Sequence, residues 1–318
     1  MKRKIFFILR FLLSGAIIFA LFKVVPYEDV ISVYRRASKF YLLLGFLFIF
    51  LGNIIASLRW RFVINSLGAS LSIREAFYAF FSSTAFNLIF PSLLAGDIFR
   101  GFALSTRFKN QTKKVISSLI IDRTSGAVSL ALLVIFSYLI GRSLIKEPEI
   151  LVGVILIATL GVVIILAIFN NFIFSLVKKI FTGRKKAEER IHEFEREFHF
   201  LRKRPSIFWK TVICFSLPIQ IVTVFSFFFV CKSFYIDLDL IYFFIFVPII
   251  MLVAFLPITV AGIGTREAAT IYFFSKVGLS RPVSLGMSVM NLVFLIGISL
   301  IGGIIYVMVY HRWLESYK

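Results

Sequence analysis

From Ile150 to Val177 the sequence contains no Asp, Glu, Lys or Arg, and further charge-free runs lie at Phe40–Leu58, Thr124–Gly141, Thr211–Cys231 and Val283–Tyr310. A helix needs about 20 apolar residues to cross ~30 Å of hydrocarbon. Several of these runs meet that length, so the bilayer is the solvent to which the chain is matched. Of the 318 residues, 59% are hydrophobic, and the mean hydropathy is +0.94. The expected fold is an all-α polytopic membrane protein.

Spacing places about six full spans near residues 5–25, 40–58, 115–140, 150–177, 211–231 and 283–310. Two apolar segments, 76–90 and 240–256, stand apart because each runs into a proline, Pro91 or Pro257. Proline lacks the amide donor and clashes with the preceding turn, so each helix should break there. The residues after the breaks repeat. Pro91, Ala95, Gly96 and Arg100 match Pro257, Ala261, Gly262 and Arg266 at a constant offset of 166 residues. Gly264 adds a second glycine to the later copy.

Orientation follows from counting basic residues, which favour the cytoplasmic side. With Lys2, Arg3 and Lys4 inside, the highly charged 178–210 segment falls inside if the first broken segment is a re-entrant hairpin, and the C-terminus returns inside if the second is one too, so the full count needs both. That topology gives two halves, 1–140 and 150–310, of opposite orientation, with both termini in the cytoplasm. Inverted repeats with discontinuous helices are a recurrent transporter plan. Two kinked but fully crossing helices would carry the same prolines with another topology, and the sequence leaves both readings open.

The formal net charge of +20 does not point to nucleic acid, because the basic residues sit in short segments between apolar runs and suit anionic headgroups. Residues 178–210 hold 11 Lys/Arg against 5 Glu. Ile191, Phe194, Phe198 and Leu201 recur there at helical spacing, as in an amphipathic helix on the cytoplasmic surface. Cys214 and Cys231 lie at opposite ends of one span, too far apart to pair. His192, His199 and His311 are scattered, so neither a metal nor a cofactor is expected, and no nucleotide-binding motif is visible.

Ionisable residues inside the membrane are expensive and mark functional sites by default. Asp97 and Arg100, three apart on a helix beginning near Gly96, share a face. Arg100 offers a bidentate phosphate clamp, and Asp97 holds or neutralises it. Arg266 and Glu267 repeat the situation, with Glu267 expected to pair across the hairpins rather than with its neighbour. Asp122-Arg123 interrupts the third span, facing either a cavity or, for Arg123, the cytoplasmic surface. Arg59-Trp60-Arg61 closes the second span as an interface anchor. Pro91, Ala95, Gly96, Pro257, Gly262 and Gly264 shape the breaks, the glycines permitting sharp turns.

Taken together, Phe86 to Arg100, Leu256 to Ala268, Arg59-Trp60-Arg61 and Asp122-Arg123 resemble the lysylphosphatidylglycerol synthase transmembrane family, the flippase-like domain of the multiple peptide resistance factor. The resemblance covers nearly the whole chain. Ala95 and Ala261 stand where the family usually has the first glycine of a pair. The resemblance implies a membrane part that moves an aminoacylated phospholipid between leaflets while a separate soluble domain makes it. With Lys318 only eight residues beyond the last span, the chain is expected to lack that aminoacyltransferase domain and to act alone. Expected partners are membrane lipids of the cytoplasmic membrane, either anionic or aminoacylated phospholipids or polyprenyl phosphate, and a homo-oligomer remains open. A rival reading is a membrane transferase using a polyprenyl-phosphate sugar, with Glu28-Asp29 in the first outer loop as its acidic pair. A small-anion transporter is a third.

Overall fold

A computed structural model describes residues 2–89, 95–107, 112–144, 148–170, 199–255 and 258–310. Pro91, Pro257, His192, His311, Ile191, Phe194 and Phe198 lie outside them. Every regular element among the described residues is helical: α1 (Lys2–Val24), α2 (Tyr27–Arg35), α3 (Lys39–Ser66), α4 (Ile73–Ile89), α5 (Ala95–Arg107), α6 (Thr112–Gly141) and α7 (Pro148–Phe169), followed by α8 (Pro205–Ser233), α9 (Leu240–Phe255), α10 (Thr265–Ser275) and α11 (Arg281–Ile305), which continues into a π turn at Tyr306–Tyr310. Helices α3, α6, α7, α8 and α11 are each long and apolar enough to cross a bilayer, and α1 and α9 contain shorter apolar stretches. The chain is an all-α, multi-pass membrane protein. Pro148, Pro205 and Pro282 sit in first turns, where the missing amide has no partner to lose.

Helices α4 and α5 have 17 and 13 residues, α9 and α10 have 16 and 11. At ~1.5 Å per residue none of the four spans ~30 Å of hydrocarbon alone. Their packing is reciprocal. Helix α3 lies along α8; α4 packs on α11 while α9 packs on α6; α5 lies on α6 while α10 lies on α11. Phe81, Phe227, Phe243, Phe246 and Phe274, all nearly inaccessible, fill the centre. Close approach comes from small residues. A Cβ on Gly52 of α3 would stand 3.1 Å from Val222 of α8, and one on Gly302 of α11 would collide with the Phe81 carbonyl of α4.

Three features depart from the sequence reading. The expected first outer loop contains α2, which is tied to the bundle where the Tyr34 hydroxyl donates to the Gly286 carbonyl at 2.6 Å. Helix α9 carries a buried Pro248 in its interior, so it absorbs one proline before it ends near the next. In the 178–210 segment, Leu201 is wholly buried beside Val63 and Ile121, and Arg202 donates to the Ala167 and Ile168 carbonyls at the end of α7. That end of the segment docks on protein.

Candidate functional site

The first break builds the site. Gly96 opens α5 so close to α4 that its amide donates to the Asn87 side-chain oxygen at 2.7 Å, and an added Cβ would meet the Ser83 carbonyl at 2.5 Å. This contact aims the first turn of α5 at α6. Asp97 then accepts from Arg100 on its own helix and from Arg123 of α6. Arg59 of α3 donates through Nε to Asp122 at 2.7 Å, and Asp122 stands 3.8 Å from Arg100. Five charged side chains from three helices thus form one network: three arginines against two aspartates.

Arg100 is at the centre and only 3% exposed. Its guanidinium is held between the rings of Trp60 and Phe80, 4.8 and 4.7 Å from their centroids. Ring faces attract a cation but accept no directed N–H bonds of normal strength. Its Nε and Nη1 are buried with no hydrogen-bond partner among the described residues. Donors are rarely left so, because an unsatisfied buried N–H costs about 1–3 kcal/mol. Arg100 and the other four charges line a cavity of about 330 Å³ with Asn53, Ser83, Thr84 and Asn87. Asn53, Ser83, Thr84 and Asn87 were missed by the sequence reading, although polar residues inside apolar helices are a usable signal.

A π turn at Val212–Ser216 supports the network from behind Arg59. The Leu217 amide reaches back five residues to the Val212 carbonyl, just ahead of Pro218. Ser216 at its end accepts from Arg59 at 3.0 Å and donates to Ser125 at 3.2 Å. Such turns mark single-residue insertions in helices and often occur at functional sites.

The second break is assembled differently. Ala261, Gly262 and Gly264 have φ of 54°, 76° and 95°, so three of four consecutive residues are left-handed, a conformation that glycine adopts freely and alanine does not. Arg266 donates to Glu267 at 2.8 Å and to Ser288 at 3.2 Å. Glu267 also accepts from Ser288 and, at 2.6 Å, from the Gly264 amide. The expectation that Glu267 pairs across the hairpins is corrected: Glu267 curls back to cap α10, which brings its carboxylate to the adjacent guanidinium. Arg266 and Glu267, 7% and 5% exposed, are mutually satisfied and do not line the cavity with Arg100. From this half, Ala261 and Ile263 reach it. The offset relating Arg100 to Arg266 also relates Asp122 to Ser288, so each arginine faces the equivalent position of the following span.

The other expected residues are placed as follows. Arg123 lines the cavity and is 38% exposed. Trp60 is fully buried and Arg59 is in the charge network, so neither is a headgroup-level anchor. Helix α3 continues beyond the charge-free run to Ser66 and carries both inward. Arg61 donates to the Leu71 carbonyl at 2.9 Å. Glu28 and Asp29 are exposed in the first turn of α2, where negative charge stabilises a helix N-terminus. Cys214 is exposed and Cys231 buried on α8.

A family profile described as "Lysylphosphatidylglycerol synthase TM region" matches residues 7–309. The chain is 22% identical over 296 residues, 88% of either chain, to "UPF0104 membrane protein MJ1595" of Methanocaldococcus jannaschii. It is 21% identical over 287 residues, 83% of either chain, to a "UPF0104 membrane protein" of Methanothermobacter thermautotrophicus. Because the profile takes in both breaks, the charge network and all the long apolar helices, the chain belongs to the lysylphosphatidylglycerol synthase transmembrane-region family.

Proposed function

We propose that the chain is a flippase-like lipid translocator that passes a phosphate-bearing headgroup through the α3–α6 cavity between the leaflets of the cytoplasmic membrane. Arg100 carries the reading: a buried guanidinium whose Nε and Nη1 have no partner among the described residues, in a network of three described arginines and two described aspartates. Guanidinium groups bind phosphate with paired N–H donors, and a phosphodiester brings the single negative charge that balances the network. Asp97, Asp122 and Arg59 hold Arg100 ready, and Arg123, 38% exposed, is the first charge a headgroup meets. The reciprocal packing of the two short-helix pairs supports an inverted repeat of two re-entrant hairpins. Arg266 and Glu267 then serve as the lock of the second break rather than as headgroup ligands.

The test is leaflet exchange of labelled phosphatidylglycerol, an aminoacylated phospholipid and a polyprenyl phosphate in liposomes holding the protein. Arg100→Lys keeps the charge but loses the fork, and should slow exchange about tenfold or more, the factor that 1.4 kcal/mol represents. Arg266→Ala should instead lower the melting temperature. Exchange unaffected by Arg100→Lys in a folded protein would overturn the reading and send the transferase assay forward.

A further inference from the structure

The charged cavity borders an apolar depression. Leu88 of α4 and Ser299 of α11 line it, and the same two residues line a second depression, of about 500 Å³, formed with Ala85, Leu300, Gly303, Ile304, Val307 and Met308. Apart from Ser299, these groove residues are apolar. Leu300, Ile304, Val307 and Met308 are 59–70% exposed, so the groove opens on the outer surface of the bundle. Its shape follows from the helix crossing. Gly302 lets α11 touch the Phe81 backbone, while on the next turn of α4 Ala85 faces Gly303, where an added Cβ would stand 3.7 Å away with room to spare. A charged chamber and an apolar slot therefore share a wall.

We infer that the α4–α11 groove seats one acyl chain of the lipid whose phosphate Arg100 holds, and that it is the side door through which that lipid enters from the bilayer. The inference rests on the reading of the cavity as a phosphate site. The shared wall of Leu88 and Ser299 decides the occupant. A water-soluble anion would need the chamber alone, whereas an amphiphile needs a polar chamber open sideways to hydrocarbon, so that the head crosses within protein while the tail stays in an apolar medium. Small side chains at the floor and flexible ones at the rim suit a hydrocarbon chain of no fixed shape.

Two groove substitutions test this in the full chain, reconstituted in phosphatidylcholine liposomes with labelled phosphatidylglycerol. Gly303→Phe fills the floor, and Val307→Trp narrows the exposed rim with little demand on folding. Both should slow leaflet exchange about tenfold, while Leu156→Trp on the exposed face of α7, 62% exposed, should leave it unchanged. A second readout follows the headgroup alone. In a Trp209→Phe, Trp313→Phe background, Trp60 emission reports glycerophosphoglycerol reaching Arg100, and Gly303→Phe should leave that titration intact. If Gly303→Phe disturbs both readouts, Val307→Trp decides, with slowed exchange supporting the side door and wild-type exchange overturning it. Wild-type exchange in both groove variants, alongside loss in Arg100→Lys, overturns the groove and leaves the phosphate site standing. Exchange insensitive to Arg100→Lys removes both.

Discussion

Arg100 and Arg266 occupy equivalent sequence positions, yet one is held by aromatic rings with spare donors and the other is closed by Glu267 and Ser288. The difference sits one residue away. Position 267 is a carboxylate and the equivalent position in the first half is Gly101, so the first half must draw its counter-charges from Asp97 and from α6. Breaking a buried pair costs about 3–5 kcal/mol, because it strands a charge. Asp122→Leu, which strands Arg59, should therefore destabilise strongly. Arg59→Leu combined with Asp122→Leu should regain much of the lost melting temperature in detergent, as the excess positive charge is unchanged. Asp97 with Arg100 was legible from their spacing. Trp60 was not, because Arg-Trp-Arg at the end of an apolar run has the composition of an interface anchor, and only the helical partner carrying Asp122 shows that Arg59 and Trp60 point inward.

At the level of elements, the turn of the second break was legible because glycine acts locally: Gly262 and Gly264 hold positive φ. The α2 helix, the π turn and the tolerated Pro248 were not, since each depends on tertiary partners: Gly286 for Tyr34, and Arg59 with Ser125 for Ser216. The α4–α11 crossing is the most tightly drawn helix contact near the site. Gly302→Val would force the helices apart at Phe81, and overpacking of this kind costs about 1–3 kcal/mol. A lower melting temperature should be accompanied by slower lipid exchange, because the same crossing carries the cavity and the groove. Gly96→Ala should act in the same direction by lifting α5 off α4, with weaker anion quenching of Trp60 as its signature.

The whole molecule combines a motif that recurs in the sequence with packing that the sequence leaves unstated. The offset of 166 residues was readable, but the exchange of partners, α4 onto α11 and α9 onto α6, is a long-range property that no local pattern encodes. An inverted repeat makes a directional prediction. In a background with Cys214→Ser and Cys231→Ser, Ser105→Cys at the end of α5 and Ser275→Cys at the end of α10 should react with an impermeant maleimide from opposite faces of the membrane. Labelling of both from one face would sink the inverted topology while leaving the charge network as described.

The contact between Ser14 and Val260 also orders events in time. The hydroxyl of Ser14, in α1, accepts the backbone amide of Val260 at 2.9 Å, across 246 residues of sequence. Translation supplies α1 long before the second break. During synthesis α1 therefore sits in the bilayer without this partner while the helices between them are inserted. When residue 260 emerges, α1 closes over the second break, so a helix made early is fastened by a turn made 246 residues later.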